Sequence, residues 1–304
     1  MYSTTQLLIK EKPILKQGAN DKFKSALYLE KGKNRQGEGG LRTQGYFKKS
    51  YEDKPLISVI TVVFNGEADL EETIFSVINQ TYDNVEYILI DGGSTDGTLD
   101  RIKKYEDKID YWVSEEDDGI SDAFNKGIML VRGKRILFLN AGDCFHDLDS
   151  IERVYPLFIQ HQNIDLIYGK IQLVNENREK IKSYGKPFDL TVFKRHMTLP
   201  HQGMFHSREF FKTNGLYDIT IKTCMDYELI MKNIDTTSFY FFDDIVSDML
   251  SDGISQTNIL TLYKEHLKIQ LAYSINSKLK SYFYYLLNVT SYRLKKLVKG
   301  ILWV

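Results

Sequence analysis

Between residues 55 and 140 the chain passes four times from a short apolar run into a polar turn, and three of those turns lead into a longer segment of helical spacing. "LISVITVVF" (56–64), "VEYILID" (85–91), "IDYWVSE" (109–115) and "RILFLN" (135–140) are β-branched or aromatic runs of strand length. "ADLEETIFSVINQ" (68–80), "TLDRIKKYED" (98–107) and "ISDAFNKGIMLV" (120–131) predict helices, the first placing Leu70, Ile74, Val77 and Ile78 on one face. Strands that are apolar without alternation are buried on both faces, and strand–helix alternation predicts a mostly parallel sheet flanked by helices. The polar loops follow the carboxyl ends of the strands, the edge at which open sheets of this kind bind ligands.

Beyond residue 143 the pattern loosens. A helix is expected near 149–161, a strand at 164–174, a loop and helix at 199–215, a helix at 224–234 and a strand within 238–250. Residues 1–54 are rich in Lys, Gly, Gln and Asn, and "KGKNRQGEGGLRTQG" (31–45) predicts loop or disorder. The Gly37-Glu-Gly-Gly cluster follows no strand and opens no helix, so it is no dinucleotide fingerprint. Three parts result: a basic, partly disordered N-terminal extension (1–54), an α/β domain (55–255), and a helical, basic and aromatic C-terminal extension (256–304).

Charge sharpens that division. The net charge of the 304 residues is −1. Residues 1–54 carry 12 Lys and Arg against 6 Asp and Glu, and residues 255–304 carry 8 against one, so the middle stands at −14. An acidic middle is unsuited to nucleic acid and suited to a divalent cation. No apolar stretch reaches about 18 residues and the N-terminus has no apolar signal core, so neither a membrane span nor a secretory leader is expected. Two cysteines make no disulfide framework, which points to a reduced, cytoplasmic protein, and the sequons at Asn79 and Asn288 are chance matches.

Carboxylates cluster at the predicted strand ends. Asp91 ends the second strand before a Gly-Gly turn in "YILIDGGSTDGTLD", where it can satisfy backbone amides or receive a nucleobase. In "SEEDDGISDAFNKGI", Asp117, Asp122 and Asn125 surround a tight turn and the first turns of a helix, where capping is the bland alternative. The fourth strand runs into "LNAGD", which sets Asp143 just past a glycine.

In order along the chain, "ISVITVVFNG", "TIFSVINQTYDNVEYILIDGGSTDGT", "WVSEEDDGISDAFNKGI", "ILFLNAGD" and "PHQGMF…GLYD…MDYEL" resemble the family 2 glycosyltransferases of the GT-A fold. More narrowly they resemble the bacterial enzymes of colanic acid, O-antigen and capsule synthesis, over roughly residues 56–255. The resemblance implies an inverting transfer of sugar from a nucleotide-diphosphate donor to a hydroxyl of a glycan acceptor, commonly lipid-linked. It implies that Phe64 lies against the base, and that Asp91, Asp117, Asp122 and Asn125 surround the donor. Asp143 falls in the family's metal motif and is expected to bind Mn²⁺ or Mg²⁺. This chain departs from the usual motif, with Asn140 in the first acidic position, and Gly92 replaces the second acid after Asp91.

Asp226, in "CMDYEL", is implied as the base, and Glu228, two residues on, points elsewhere on the helix. His201, in "PHQGMF", is implied to contact acceptor or diphosphate, with weaker support for His206. The tail "KLKSYFYYLLNVTSYRLKKLVKGILWV" (278–304) mixes Lys and Arg with aromatic residues, including Trp303. It suits a peripheral helix on an anionic membrane, at the inner face of the cytoplasmic membrane, or equally a cover over the domain. Two rivals are a nucleotidyltransferase of related topology, which would want a Gly-rich basic loop where "FNGEADL" stands, and a binding subunit without turnover, against which the three acids speak.

Overall fold

A computed structural model describes residues 1–251 and 259–301, with side chains described as far as residue 294. Its centre is one mixed sheet built outward from β2 (Ile57–Val63). On one side β2 pairs in parallel with β3 (Val85–Asp91), which pairs in parallel with β4 (Tyr111–Ser114). On the other it pairs in parallel with β5 (Arg135–Phe138). The order of strands therefore reverses at β2, and the crevice at the carboxyl ends of β2 and β5 is the switch point where ligands enter such sheets.

The expected parallel frame is present, and the differences lie in short antiparallel pieces. β9 (Met204–Ser207), inside the stretch predicted as loop and helix, runs antiparallel between β5 and β7 (Leu166–Val174). β10 (Phe239–Leu250) lies parallel to β7, and β6 (Cys144–Phe145) closes that edge. β8 (Lys180–Tyr184) forms a hairpin with β7 and is exposed throughout. β6, β8 and β9 have two to five residues and lack the long apolar run that makes a strand legible.

Successive side chains of β2 divide between two cores. Val59 and Val63 enter the core shared with α1 (Leu70–Ile78), α2 (Thr98–Lys104) and α4 (Ser150–Gln160). Ile60 and Val62 enter the core shared with α3 (Ile120–Leu130), α6 (Arg208–Asn214) and α7 (Met225–Met231). A single turn, α5 (Leu190–Phe193), adds Phe193 to the second core. The C-terminal part is helical as expected, in α8 (Ile259–Ala272) and α9 (Lys278–Ile301), and its boundary near 255 and Trp303 lie outside the described residues.

Residues 1–54, expected to be partly disordered, take a defined course along the sheet. β1 (Gly37–Gly39) adds an antiparallel strand to the β4 edge. The Ser3 N–H donates to the Ile78 carbonyl at 2.8 Å. Arg42 is buried and forms an ion pair with Glu86 at 2.6 Å, while Lys48 donates to the Ser3 and Gln6 carbonyls at 3.1 and 2.9 Å. Composition suggested loop or disorder because it does not show partners distant in sequence. Arg42 neutralises a carboxylate that the sheet buries, and Lys48 ties the start of the arm to its end.

Candidate active site

Loops along the carboxyl edge, or rim, of the sheet carry the predicted site residues, and hydrogen bonds link several of them, while Asp226 is tied to the rest through its charge on Tyr217. Phe64 follows the last residue of β2 and is 65% exposed beside Asn65, a residue in the left-handed region at φ 50°. The Asn65 N–H donates to Ser94 Oγ at 2.7 Å, and Asn65 Oδ1 receives the Thr95 N–H at 2.9 Å. An aromatic face held outward at a strand end is a platform on which a base can stack.

Asp91, at the tip of β3, is fully buried. Its carboxylate accepts from the Ser94 hydroxyl, from the Ser94 N–H at 3.2 Å and from the Ser114 hydroxyl at 2.5 Å. The acid expected to receive the base thus organises the turn beside it. Gly92 has a visible reason: a Cβ there would stand 2.5 Å from Asp117 Oδ2. Asp117 is half-buried and receives the Gly119 N–H at 2.8 Å. Burial raises its pKa, against the Gly119 bond and Lys126, and the neighbouring Asp122 and Asp91 carboxylates add to the rise.

Asp122 lies in the first turn of α3, 3.4 Å from Lys126. Asn125, expected at the donor, is turned inward instead. Its amide nitrogen donates to the Tyr217 carbonyl at 2.9 Å and its oxygen receives the Tyr217 N–H at 2.9 Å. A hydrogen-bonded peptide group and a side-chain amide satisfy one another, so this residue fixes the 215–221 loop over the site.

Asp143 follows Gly142, whose φ of 93° lies where side chains are rarely tolerated. The Thr73 hydroxyl donates to the Asp143 carbonyl at 2.8 Å and receives the Gly142 N–H at 2.9 Å, so α1 sets this turn. The Asp143 carboxylate receives Gln202 Nε2 at 3.2 Å and the Leu250 N–H at 3.2 Å. Arg178, at the β7–β8 turn, donates to the Gly142 carbonyl at 2.9 Å and pairs with Glu72.

Among the described residues no group of three or more His, Cys, Asp or Glu side chains is arranged as a metal cage. Asn140 Oδ1, three residues before Asp143, is buried with no hydrogen-bond partner. A neutral oxygen left in that condition, with a carboxylate three residues on, is the kind of ligand a hard cation takes, so these two residues would suit Mn²⁺ or Mg²⁺.

Asp226 opens α7 and receives the Tyr227 N–H at 2.7 Å. Burial pushes its pKa up to about 6 against that bond. Burial also raises the Tyr217 hydroxyl, and the Asp226 charge adds to that rise, which puts the two groups within electrostatic reach. The Tyr217 hydroxyl lies 3.2 Å from His201 Nε2. His201 stacks on Phe138 with ring centroids 5.0 Å apart, and burial lowers its pKa to about 4. At neutral pH it is an uncharged link beneath the rim rather than a cation at it. His206 is buried deeper and is likewise neutral. Glu228 points away, paired with Tyr273 of the C-terminal part and with Lys232, as its helical position predicts.

Sequence reasoning missed Gln202 and Tyr217. Both lie in the quoted motifs, "PHQGMF" and "GLYD", but an amide and a buried phenol give no charge pattern to follow. The structure makes them the connectors, since Gln202 reaches Asp143 while its neighbour His201 reaches Tyr217.

Residues 58–225 match the sequence profile of glycosyl transferase family 2. A PGL/p-HBAD biosynthesis glycosyltransferase of Mycobacterium tuberculosis is 32% identical over 179 residues, which cover 57% of this chain and 68% of the relative. An uncharacterized glycosyltransferase of Rickettsia typhi is 30% identical over 222 residues, covering 70% and 69%. The fold is shared with S. aureus TarS 1–349, solved with UDP-GlcNAc, at TM-score 0.59 and 17% identity over 74% of this chain and 69% of that one. It is shared also with the mannosyltransferase PcManGT of Pyrobaculum calidifontis, solved with GDP-Man and Mn²⁺, at TM-score 0.53 and 13% identity over 82% and 80%.

Proposed function

This chain belongs to glycosyl transferase family 2, and from that premise we propose that it is an inverting enzyme using the rim from Phe64 to Asp226 as its donor and acceptor site. The observation that carries the reading is the continuity of that rim. Contacts run from Asp91 through Ser114 and the following loop to Asp117 and α3, then by Asn125 to Tyr217, and by His201 and Gln202 to Asp143.

The exposed Phe64 ring stacks the nucleobase. The buried Asp91 holds the Ser94 turn that carries the adjoining backbone groups. Asp143 and Asn140 are the oxygens that would hold Mn²⁺ or Mg²⁺, whose bound charge would offset the negative charge gathering on the departing diphosphate. Asp226 takes the proton of the acceptor hydroxyl. The oxygen then bonds to the anomeric carbon from the side opposite the diphosphate, the glycosidic bond to phosphate breaks, and the nucleoside diphosphate leaves with its electron pair. A carboxyl near pH 6 is ionised at neutral pH and still basic enough to share that proton in the transition state. Neutral His201 holds the Tyr217 hydroxyl, which feels the Asp226 charge, where the phenol can orient the acceptor.

The acceptor we propose is a lipid-linked glycan of cell-surface polysaccharide, met at the cytoplasmic face of a membrane. Support comes from α9. Its inward side carries the buried Ser281, while Leu279, Tyr282, Phe283, Leu286, Leu287 and Leu294 are exposed on the other. Lys278 and Lys280 stand at its start. Exposed apolar side chains flanked by lysines fit the interface of an anionic bilayer. No described helix is long and apolar enough to cross a membrane. The direct test is release of nucleoside diphosphate from a panel of UDP, GDP and dTDP sugars with Mn²⁺, in the presence of a polyprenyl-linked acceptor. Failure to release any of them would remove the reading.

A further inference from the structure

The N-terminal arm reaches the donor edge as well as the sheet. It lies outside the residues that match the family profile. The Gln36 N–H donates to the Ser114 carbonyl at 2.8 Å, which puts the Gln36 side chain beside the β3–β4 strand ends. Gln36 Nε2 donates to the Ser94 carbonyl at 3.2 Å. Ser94 is the residue whose hydroxyl binds Asp91 and supports Asn65, the neighbour of Phe64. The Gln36 amide therefore stands at the edge of the surface on which the base is read, and it is solvent-exposed.

A second tie holds the loop next to it. Arg35 Nε donates to Glu115 Oε2 at 2.8 Å, and Lys126 Nζ stands 3.1 Å from Glu115 Oε1. The Arg35 and Glu115 side chains are 9% and 3% exposed, so this is an almost fully desolvated pair two residues from Asp117. The Gly32 N–H also donates to Glu115 at 3.1 Å, and a Cβ on Gly32 would stand 2.4 Å from its carboxylate. Asn34 Nδ2 donates to Glu116 at 2.8 Å, and the Glu116 N–H donates to the Lys33 carbonyl at 3.3 Å.

We propose that residues 32–38 form the nucleoside-side wall of the donor site, with Gln36 contacting the base and Arg35 positioning the 115–119 loop that carries Asp117. The proposal rests on the donor reading given above. A glutamine amide offers an acceptor beside a donor hydrogen, and Nε2 keeps one hydrogen after binding Ser94. That pattern answers a nucleobase edge with an imide or amide group, as uracil, thymine and guanine have. On the donor reading the phosphates and the reacting carbon face Asp143 and Asp226 rather than the arm.

The test begins by titrating the full chain with UDP, GDP and dTDP by calorimetry in the presence of Mn²⁺, to find the nucleotide it holds most tightly. Gln36→Ala is then expected to weaken that nucleotide roughly fivefold to tenfold, the loss of one hydrogen bond. Its affinity for inorganic pyrophosphate should stay at the wild-type value, and the KM for donor should rise more than kcat falls. Arg35→Ala should also weaken nucleotide binding, and Arg35→Lys, which keeps the charge and loses the fork, should restore part of it. Thermal melts show that each variant is folded. Equal nucleotide affinity in Gln36→Ala and wild type overturns the wall, and a parallel loss of pyrophosphate binding overturns a contact with the base. A wild-type chain that binds none of the three nucleotides overturns the donor reading itself, and this proposal falls with it.

Discussion

Asn125 and Tyr217 grip one another twice, amide nitrogen to carbonyl and backbone N–H to amide oxygen, each at 2.9 Å. Through this pair α3, which carries Asp122 in its first turn and follows the loop of Asp117, fixes the loop whose phenol lies beside His201 and within the field of Asp226. Asn125→Ala leaves two buried backbone groups unsatisfied, at about 1–3 kcal/mol each. Urea denaturation should show a loss on that scale, with a fall in kcat larger than any change in donor affinity. An unchanged kcat would mean that the 215–221 loop does not serve the acceptor side.

Asp226→Asn should lower kcat by roughly 10²- to 10⁴-fold while nucleotide affinity is retained, because a general base acts in the transition state. In the wild type, kcat should fall as pH drops through about 6, where the carboxyl protonates. Stability runs the other way. A raised pKa means that the folded protein favours protonated Asp226, so that contribution is complete below about pH 4, the ordinary carboxyl range, and is lost as pH rises through about 6. The asparagine variant should therefore melt higher than wild type at pH 8, and the gap should close at acid pH. A pH–rate profile and paired melting curves check both halves.

Gln202→Leu keeps the volume and removes the donor to Asp143. The half-saturating Mn²⁺ concentration should shift severalfold, whereas Asp143→Ala should abolish the response to metal, and EDTA should silence the wild type. Activity that survives EDTA would take the cation out of the reaction.

The ion pair of Arg42 and Glu86 joins the arm to the centre of the sheet with both side chains buried. Glu86 also receives the Ser58 hydroxyl at 2.5 Å and the Arg132 N–H at 2.7 Å. Arg42→Ala strands this carboxylate and should cost about 3–5 kcal/mol, read by chemical denaturation. A loss under 1 kcal/mol would show that the arm is dispensable to the fold.

Phe283→Glu with Leu286→Glu reverses the outward face of α9. Binding to vesicles containing phosphatidylglycerol should disappear, while turnover on a short soluble acceptor stays at the wild-type rate. Retained vesicle binding would reassign that face.

The parallel frame was legible because both of its faces are covered by helices, which forces continuous apolar strands such as Ile57–Val63 and Val85–Asp91. The family resemblance was legible because the motifs sit at those strand ends. What escaped was whatever depends on partners distant in sequence. Arg42 and Lys48 carry no mark of the carboxylates and carbonyls they meet. Asn125 has the composition of a ligand-binding residue and the geometry of a latch. Gln202 reaches Asp143 across 59 residues of chain, beyond any periodicity. Asp91 was placed correctly at the strand tip, yet only the packing shows Ser94 and Ser114 occupying its oxygens.

The antiparallel union of Gly37–Gly39 with Trp112–Ser114 carries a consequence for how the chain is made. The arm leaves the ribosome some seventy residues ahead of the strand it will cover, and at a synthesis rate of about 5–20 residues per second it waits for seconds. Without the arm β4 would present an open edge, the surface on which nascent chains pair wrongly with their neighbours. An arm that arrives first is already tethered nearby when that edge appears, so the same segment that borders the nucleotide would also act as the molecule's own guard during translation.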